Sequence, residues 1–243
     1  MKTNLNDWIK EQLKEHQDYA YARFQKRIIP NGDTILGVRT PVLRKLAKQL
    51  AKGEVETYLK QACDDSYEEV LLQGMVIANA FQEWEVAQPF IDGYVLKIDN
   101  WALCDLFVSS LKLTKKYLEE MYDWLVAYTK AESAYKIRFG VVMLLTYYRF
   151  SKYCDCVLPL LGEIHHEDYY VKMAVAWAIS MFYIEENCRE QTLRYLTLWK
   201  DHPECLDDFT YHKAISKILD SKVVSQEEKQ KWKKMKRKGL TNI

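Results

Sequence analysis

Five apolar segments recur along the chain, and each carries a polar residue at a comparable point. Shorter amphipathic stretches lie between them, such as residues 113–130. A period of 32 to 41 residues built of helix pairs is typical of an α-solenoid, in which each pair stacks on its neighbours. We therefore expect an all-α, HEAT-like helical-repeat solenoid whose equivalent residues line one surface. The recurring polar residues, at intervals of 32, 33, 34 and 41, are Gln73, Asp105, Arg138, Lys172 and Lys213.

Composition supports the same fold class. The 243 residues contain only 8 Gly and 5 Pro, too few for the frequent turns of a many-stranded β fold. Helix starts are signalled by Thr40 before Pro41, by Ser66 with Glu69, and by Ser225 with Glu228. No linker divides the sequence, so we predict a single domain over 1–243 with a basic C-terminal tail at about 229–243.

Several classes of protein are disfavoured by the same sequence. No apolar run of about 18 residues suggests a membrane span, and the polar first residues lack the apolar core of a signal peptide. The six cysteines lack the paired spacing of zinc ligands, so we expect reduced, structural thiols, with no metal and no cofactor. A monomeric, cytoplasmic bacterial protein acting at the nucleoid is the expectation.

Four residues in the apolar segments are costly to explain by packing alone. Trp101 and Asp105 are four residues apart, so on a helix they present an indole and a carboxylate on one face. Arg138 and Trp177 lie in later segments of the repeat. Indole rings bind cations by cation–π contact, a carboxylate stabilises oxocarbenium character in a sugar, and a guanidinium binds phosphate bidentately. This set suits cleavage of the N-glycosidic bond to a positively charged base.

Structural explanations exist for the same residues. A lone Trp in an apolar helix is usually a core residue. Asp105 and Arg138 could form a structural ion pair, because an unpaired buried carboxylate costs several kcal/mol. Lys172 could be an ordinary solvated residue, and the lysines of 229–238 could belong to a solvated helix end.

An ordered set of segments resembles the AlkD-like DNA alkylation repair family, the HEAT-like-repeat alkylpurine DNA glycosylases. ILGVRTPVLRKL resembles the family's opening repeat, and DNWALCDLF carries the Trp-x-x-x-Asp pair. YKIRFGVVMLL and YYVKMAVAWAIS carry the later arginine and tryptophan. The resemblance spans about residues 8–225. It implies a C-shaped α-superhelix that holds duplex DNA and excises cationic N3- and N7-alkylated purines without a base-flipping pocket, a cofactor or a metal.

The resemblance also assigns roles. Asp105 would stabilise the developing deoxyribosyl cation and position the attacking water, while Trp101 and Trp177 would pack against the sugar and backbone of the lesion. Arg138 would hold a nearby phosphate. The other DNA contacts that we expect are Phe24, Arg39, Arg44, Lys172, Tyr211, His212 and Lys213.

The chain departs from the family pattern at three places. Phe24 replaces a tyrosine, Ser180 replaces an arginine, and residues 209–215 replace a Ser/Arg-rich stretch. These changes bear on DNA contacts more than on the catalytic set. Two alternatives therefore stay open: a protein of the same fold that binds DNA structures without excising bases, and a protein–protein scaffold.

Overall fold

The computed structural model describes residues 4–236, and this part of the chain is helical without any strand. Two compact units divide it, one running up to Tyr117 and the other starting at Leu118. The first unit contains α1 (Leu5–Glu15), α2 (Tyr19–Lys26), α3 (Thr40–Leu50), α4 (Val55–Gln61), α5 (Tyr67–Ala80), α6 (Trp84–Val95) and α7 (Trp101–Ser110). The second contains α8 (Leu118–Thr129), α9 (Ala134–Tyr147), α10 (Ser151–Gly162), α11 (Tyr169–Ile184), α12 (Arg189–Trp199), α13 (Asp208–Asp220) and α14 (Gln226–Met235). Short 3-10 turns occupy Gly32–Thr34, Lys112–Lys115 and Glu186–Cys188.

Alternate helices stack on one another within each unit. In the first unit α3 packs against α5 and α5 against α7, and in the second α9 packs against α11 and α11 against α13. The central stacked helix of each unit, α5 or α11, is apolar on most sides, because it is covered by two stacked neighbours and by an intervening helix. The predicted all-α helical repeat is confirmed, and the recurring polar residues all fall on α5, α7, α9, α11 and α13.

An aromatic residue stands in the first turn of every stacked helix from α5 onward. Such a ring at a helix start is a second mark of the repeat, independent of the polar residue further along. The residues are Tyr67, Trp101, Tyr135, Tyr169 with Tyr170, and Phe209.

The predicted helix starts are met to different degrees. Ser225 and Glu228 form the full reciprocal capping box at α14. The Ser66 side chain accepts from the N–H of Glu69, as expected of a cap. At α3 the helix begins at Thr40 itself, with Arg39 in the cap position and no side-chain cap.

The expectation that all six cysteines are reduced is wrong for two of them. Cys154 in α10 and Cys188 before α12 form a disulfide, with Cα atoms 5.9 Å apart. Their separation of 34 residues is one period of the repeat, so contact between α10 and α12 brings them together. Sequence spacing alone did not reveal this pairing, because the two residues belong to different helices.

The basic tail is partly helical. Residues 226–235 form α14, where Trp232 is buried, and Lys236 follows the helix. Residues 237–243, the rest of the predicted tail, lie outside the described residues. Among the helices of 4–236, none combines the length and apolar character that a membrane crossing requires.

Candidate functional site

Trp101 and Asp105 share the accessible face of α7. Asn100 caps this helix, because its side-chain oxygen accepts from the N–H groups of Ala102 and Leu103, each at 3.0 Å. The residues between the pair, 102–104, are buried, whereas Trp101 and Asp105 are half-buried. The indole is therefore outside the buried core, and the carboxylate stands one turn further along the same face.

The Trp101 indole is fixed by the loop that follows α2. Its Nε1 donates to the carbonyl oxygen of Ile28 at 3.1 Å. A second bond joins the same two segments, since the Asn31 side chain donates to the carbonyl of Asp99 at 3.0 Å. Asn31 has a φ of 56°, a left-handed conformation that Asn tolerates better than most residues. The loop after α2 thus sets the orientation of the indole at the start of α7.

Phe24 on α2 and Arg39 at the start of α3, two of the predicted DNA contacts, are exposed and share one aromatic neighbour. Phe24 is 48% exposed and stacks with Tyr21 at a centroid distance of 6.4 Å. The Arg39 guanidinium lies 3.8 Å from the Tyr21 ring centroid and donates to Asp18 at 2.7 Å. Tyr21 was not predicted from the sequence. It holds Arg39 by cation–π contact, which orients the guanidinium while leaving it partly exposed.

Arg44 differs from Arg39 in its surroundings. It is an exposed residue of α3, one turn after the helix start. An exposed cation of this kind suits a mobile contact with a phosphate.

The loop before α3 is held by a buried carboxylate. Glu68 is fully buried, and its oxygens accept from the N–H groups of Leu36 (2.9 Å), Gly37 (2.7 Å) and Val38 (3.1 Å). Burial raises the pKa of this carboxyl, and the three N–H donors oppose that rise. Glu68 lies outside the segments that suggested function, yet it positions the ILGVR stretch and hence Arg39.

Arg138 is buried in the second unit, at 5% exposure. Its Nη1 donates to the carbonyl oxygen of Tyr170 at 2.8 Å, which ties α9 to the first turn of α11. Trp177 follows Tyr170 by seven residues, or two helical turns, and is half-buried. The predicted arginine and the later tryptophan therefore belong to one group of stacked helices.

Lys217 adds a cation to this group that the sequence did not single out. It follows Lys213 by four residues on α13, so the two ammonium groups share a face. Desolvation lowers the pKa of Lys217, and the nearby charge of Arg138 lowers it further, more than Asp220 raises it. Positive charges crowded in this way are typical of a site for an anion. The i, i+4 spacing in KAISKI was the available signal.

The remaining predicted contacts lie in different environments. Lys172 donates to Glu167 at 2.9 Å, which raises its pKa, and its side chain is 19% exposed. Lys213 lies 5.5 Å from the ring centroid of Phe209, and His212 is half-buried beside Tyr211. Tyr211 does not fit the predicted contact with DNA, because its ring is fully buried and its hydroxyl donates to the carbonyl of Met235 at 3.0 Å. It joins α13 to α14 and has no surface to offer a phosphate.

Comparison with known families identifies the chain. The family model described as DNA alkylation repair enzyme matches residues 9–218. The chain belongs to this family. Membership of the DNA alkylation repair family indicates an enzyme with a role in DNA repair and DNA as its partner. No curated protein and no solved structure matched the chain.

Proposed function

We propose that this member of the DNA alkylation repair family is a monofunctional DNA glycosylase. Its substrates would be cationic N3- and N7-alkylated purines in duplex DNA. The observation that carries the proposal is the Trp101–Asp105 pair, one turn apart on the accessible face of α7, with the indole held by the Ile28 carbonyl. A half-buried carboxylate beside a fixed indole is suited to a cation that develops between them.

The chemistry needs little beyond electrostatic stabilisation. When the bond between C1′ and the purine nitrogen breaks, its electron pair neutralises the alkylated base, and the positive charge passes to the deoxyribose. The Asp105 carboxylate stabilises this oxocarbenium-like cation and orients a water, which adds to C1′ and loses a proton to solvent. Because the leaving group departs neutral, no acid is required to protonate it.

In this proposal the second unit contacts the DNA backbone through α11 and α13. Arg138 is too buried to act as an exposed clamp, so it contributes a fixed positive charge behind the surface. Lys213 and Lys217 then make the direct phosphate contacts, while Trp177 packs against a sugar. Phe24, Arg39 and Arg44 make the corresponding contacts from the first unit.

The test is release of free 7-methylguanine from a defined duplex in single-turnover reactions. Asp105→Asn keeps the shape of the side chain but removes its charge. We expect a loss of about 100- to 1000-fold in the rate, the usual cost of one electrostatic contact in a transition state. Binding to undamaged duplex should change little. Asp123→Asn, at an exposed position of α8, is the matched control and should keep the wild-type rate.

The open alternatives give different results in the same experiment. Tight, salt-sensitive binding of DNA without base release would indicate a DNA-binding protein of this family that lacks glycosylase activity. Equal release by wild type and Asp105→Asn would support glycosylase activity but reject Asp105 as the catalytic carboxylate. A scaffold would bind no DNA at all.

A further inference from the structure

Four aromatic rings form a continuous row across the first turns of α9, α11 and α13. Tyr135 lies 6.3 Å from Tyr170 between ring centroids, Tyr170 lies 5.2 Å from Tyr169, and Tyr169 lies 5.8 Å from Phe209. All four belong to the second unit. The row exists because each stacked helix begins with an aromatic residue and the helices pack side by side.

Packing does not require these rings to be at the surface. Tyr169 is 53% exposed, and the other three are half-buried. Neighbouring planes meet at 27°, 85° and 60°, so the rings do not close into one stack that covers every face. An aromatic face left open to water is suited to stacking on a flat, apolar ligand.

The row is continuous with the proposed DNA contacts of the same unit. Arg138 donates to the carbonyl of Tyr170, and Lys213 lies over Phe209 at 5.5 Å from the ring centroid. A strand that leaves the phosphate contacts of Lys213 and Lys217 would reach this row next. This continuity favours a nucleic-acid base over another flat ligand.

The charges near Tyr169 are balanced. Lys172 is paired with Glu167, and the carboxylates of Asp168 and Asp207 accept N–H groups as caps of α11 and α13. At Tyr169 the row therefore offers a ring without an excess of positive charge, while Arg138 lies at Tyr170 and Lys213 at Phe209. Binding here would depend on stacking, which is tolerant of sequence, and much less on neutralising phosphates.

We propose that the row Tyr135–Tyr170–Tyr169–Phe209 is a binding site for unpaired nucleobases next to the duplex that the protein holds. This proposal rests on the DNA-binding part of the proposed function and is independent of base excision. The ligand class is single-stranded DNA adjoining a duplex, bound through its bases.

The test compares fluorescence anisotropy of the full chain on three labelled probes. One is a blunt duplex, the second adds a tail of about six thymidines, and the third adds a tail of the same length without bases. Wild type should bind the thymidine tail about fivefold or more tighter than the blunt duplex, the gain expected from stacking one base. The baseless tail should give no gain, and the gain should persist as salt weakens binding of the duplex.

Two variants assign the effect to the row. Tyr169→Ala should abolish the gain from the tail while leaving affinity for the blunt duplex unchanged. Phe209→Ala should also abolish the gain, which is measured against its own affinity for the blunt duplex because Lys213 lies over this ring. Tyr169→Phe should retain the gain, because the ring remains. Phe150→Ala is the matched control, since Phe150 is 54% exposed in the same unit and lies outside the row.

The proposal is overturned by any of three results. The gain could survive both alanine variants, it could be equal for the baseless tail, or no probe with a tail could bind better than the blunt duplex. Thermal unfolding of each variant identifies misfolding, and if one alanine variant misfolds, the other, on a different helix, decides the question. Failure to release 7-methylguanine, with the tail effect intact, would reject the glycosylase and leave this site standing.

Discussion

Replacing Glu68 with alanine removes the acceptor of three backbone N–H groups in residues 36–38. Those of Gly37 and Val38 are bonded within buried surroundings, and that of Leu36 is partly buried. A buried donor left without an acceptor costs about 1–3 kcal/mol, so the two buried donors alone cost about 2–6 kcal/mol. This is a large part of the roughly 5–15 kcal/mol by which a folded protein is stable.

Glutamine at the same position should cost less than alanine, because it can keep some of these hydrogen bonds. One carboxylate oxygen accepts from both Gly37 and Val38, and the other accepts only from Leu36. The amide oxygen of Glu68→Gln can keep the first two bonds, while its NH₂ group would face the N–H of Leu36. We expect a cost of about 1–3 kcal/mol for glutamine, clearly below that of alanine.

Hydrogen exchange of the amides of residues 36–38 measures this effect where it arises. A loss of about 2 kcal/mol corresponds to roughly 30-fold faster exchange when opening is in equilibrium. Glu11→Ala, at an exposed position of α1, should leave exchange unchanged. Wild-type exchange rates at these amides in Glu68→Ala would refute the reasoning, as would equal effects of glutamine and alanine.

Three further outcomes are expected. Lys217→Met should weaken binding to duplex DNA and reduce the slope of log K against log salt by about 0.9. The melting temperature should not fall, because the substitution removes a half-buried positive charge that Arg138 repels. A lower melting temperature with an unchanged slope would contradict the phosphate contact. Gly37→Ala should lower the free energy of unfolding, measured in urea, by about 3 kcal/mol or more, because φ is 89° and the new Cβ would lie 2.2 Å from the Asp18 carbonyl oxygen. An unchanged free energy of unfolding would be inconsistent with this loop conformation. Thiol titration in denaturant should find four reactive cysteines without reductant and six after reduction, because Cys154 and Cys188 are bonded. Six reactive cysteines in both conditions would reject the bond.

The sequence predicted the features that repeat. Helical periodicity and the recurring polar residues placed Asp105, Arg138 and Lys172 on stacked helices, because such helices are constrained locally by burial. The spacing of Trp101 and Asp105 similarly predicted their shared face. These inferences needed no knowledge of which helix packs against which.

Features that depend on contact between distant segments were missed. Glu68 reads as an ordinary first-turn acid of a helix, and only the tertiary structure gives it three backbone donors. Tyr211 reads as an available hydroxyl, but α14 covers it. The disulfide and the influence of Arg138 on Lys217 were missed for the same reason.

The bond from Trp101 to the carbonyl of Ile28 has an evolutionary consequence. A main-chain acceptor is supplied by whichever residue occupies position 28, so substitutions there cannot remove it. What selection can act on is the number of residues between α2 and Asn31, since deleting one would move the carbonyl away from the indole. We therefore expect homologues that keep the Trp-x-x-x-Asp pair to vary freely in the identity of residue 28 and to conserve the length of this loop.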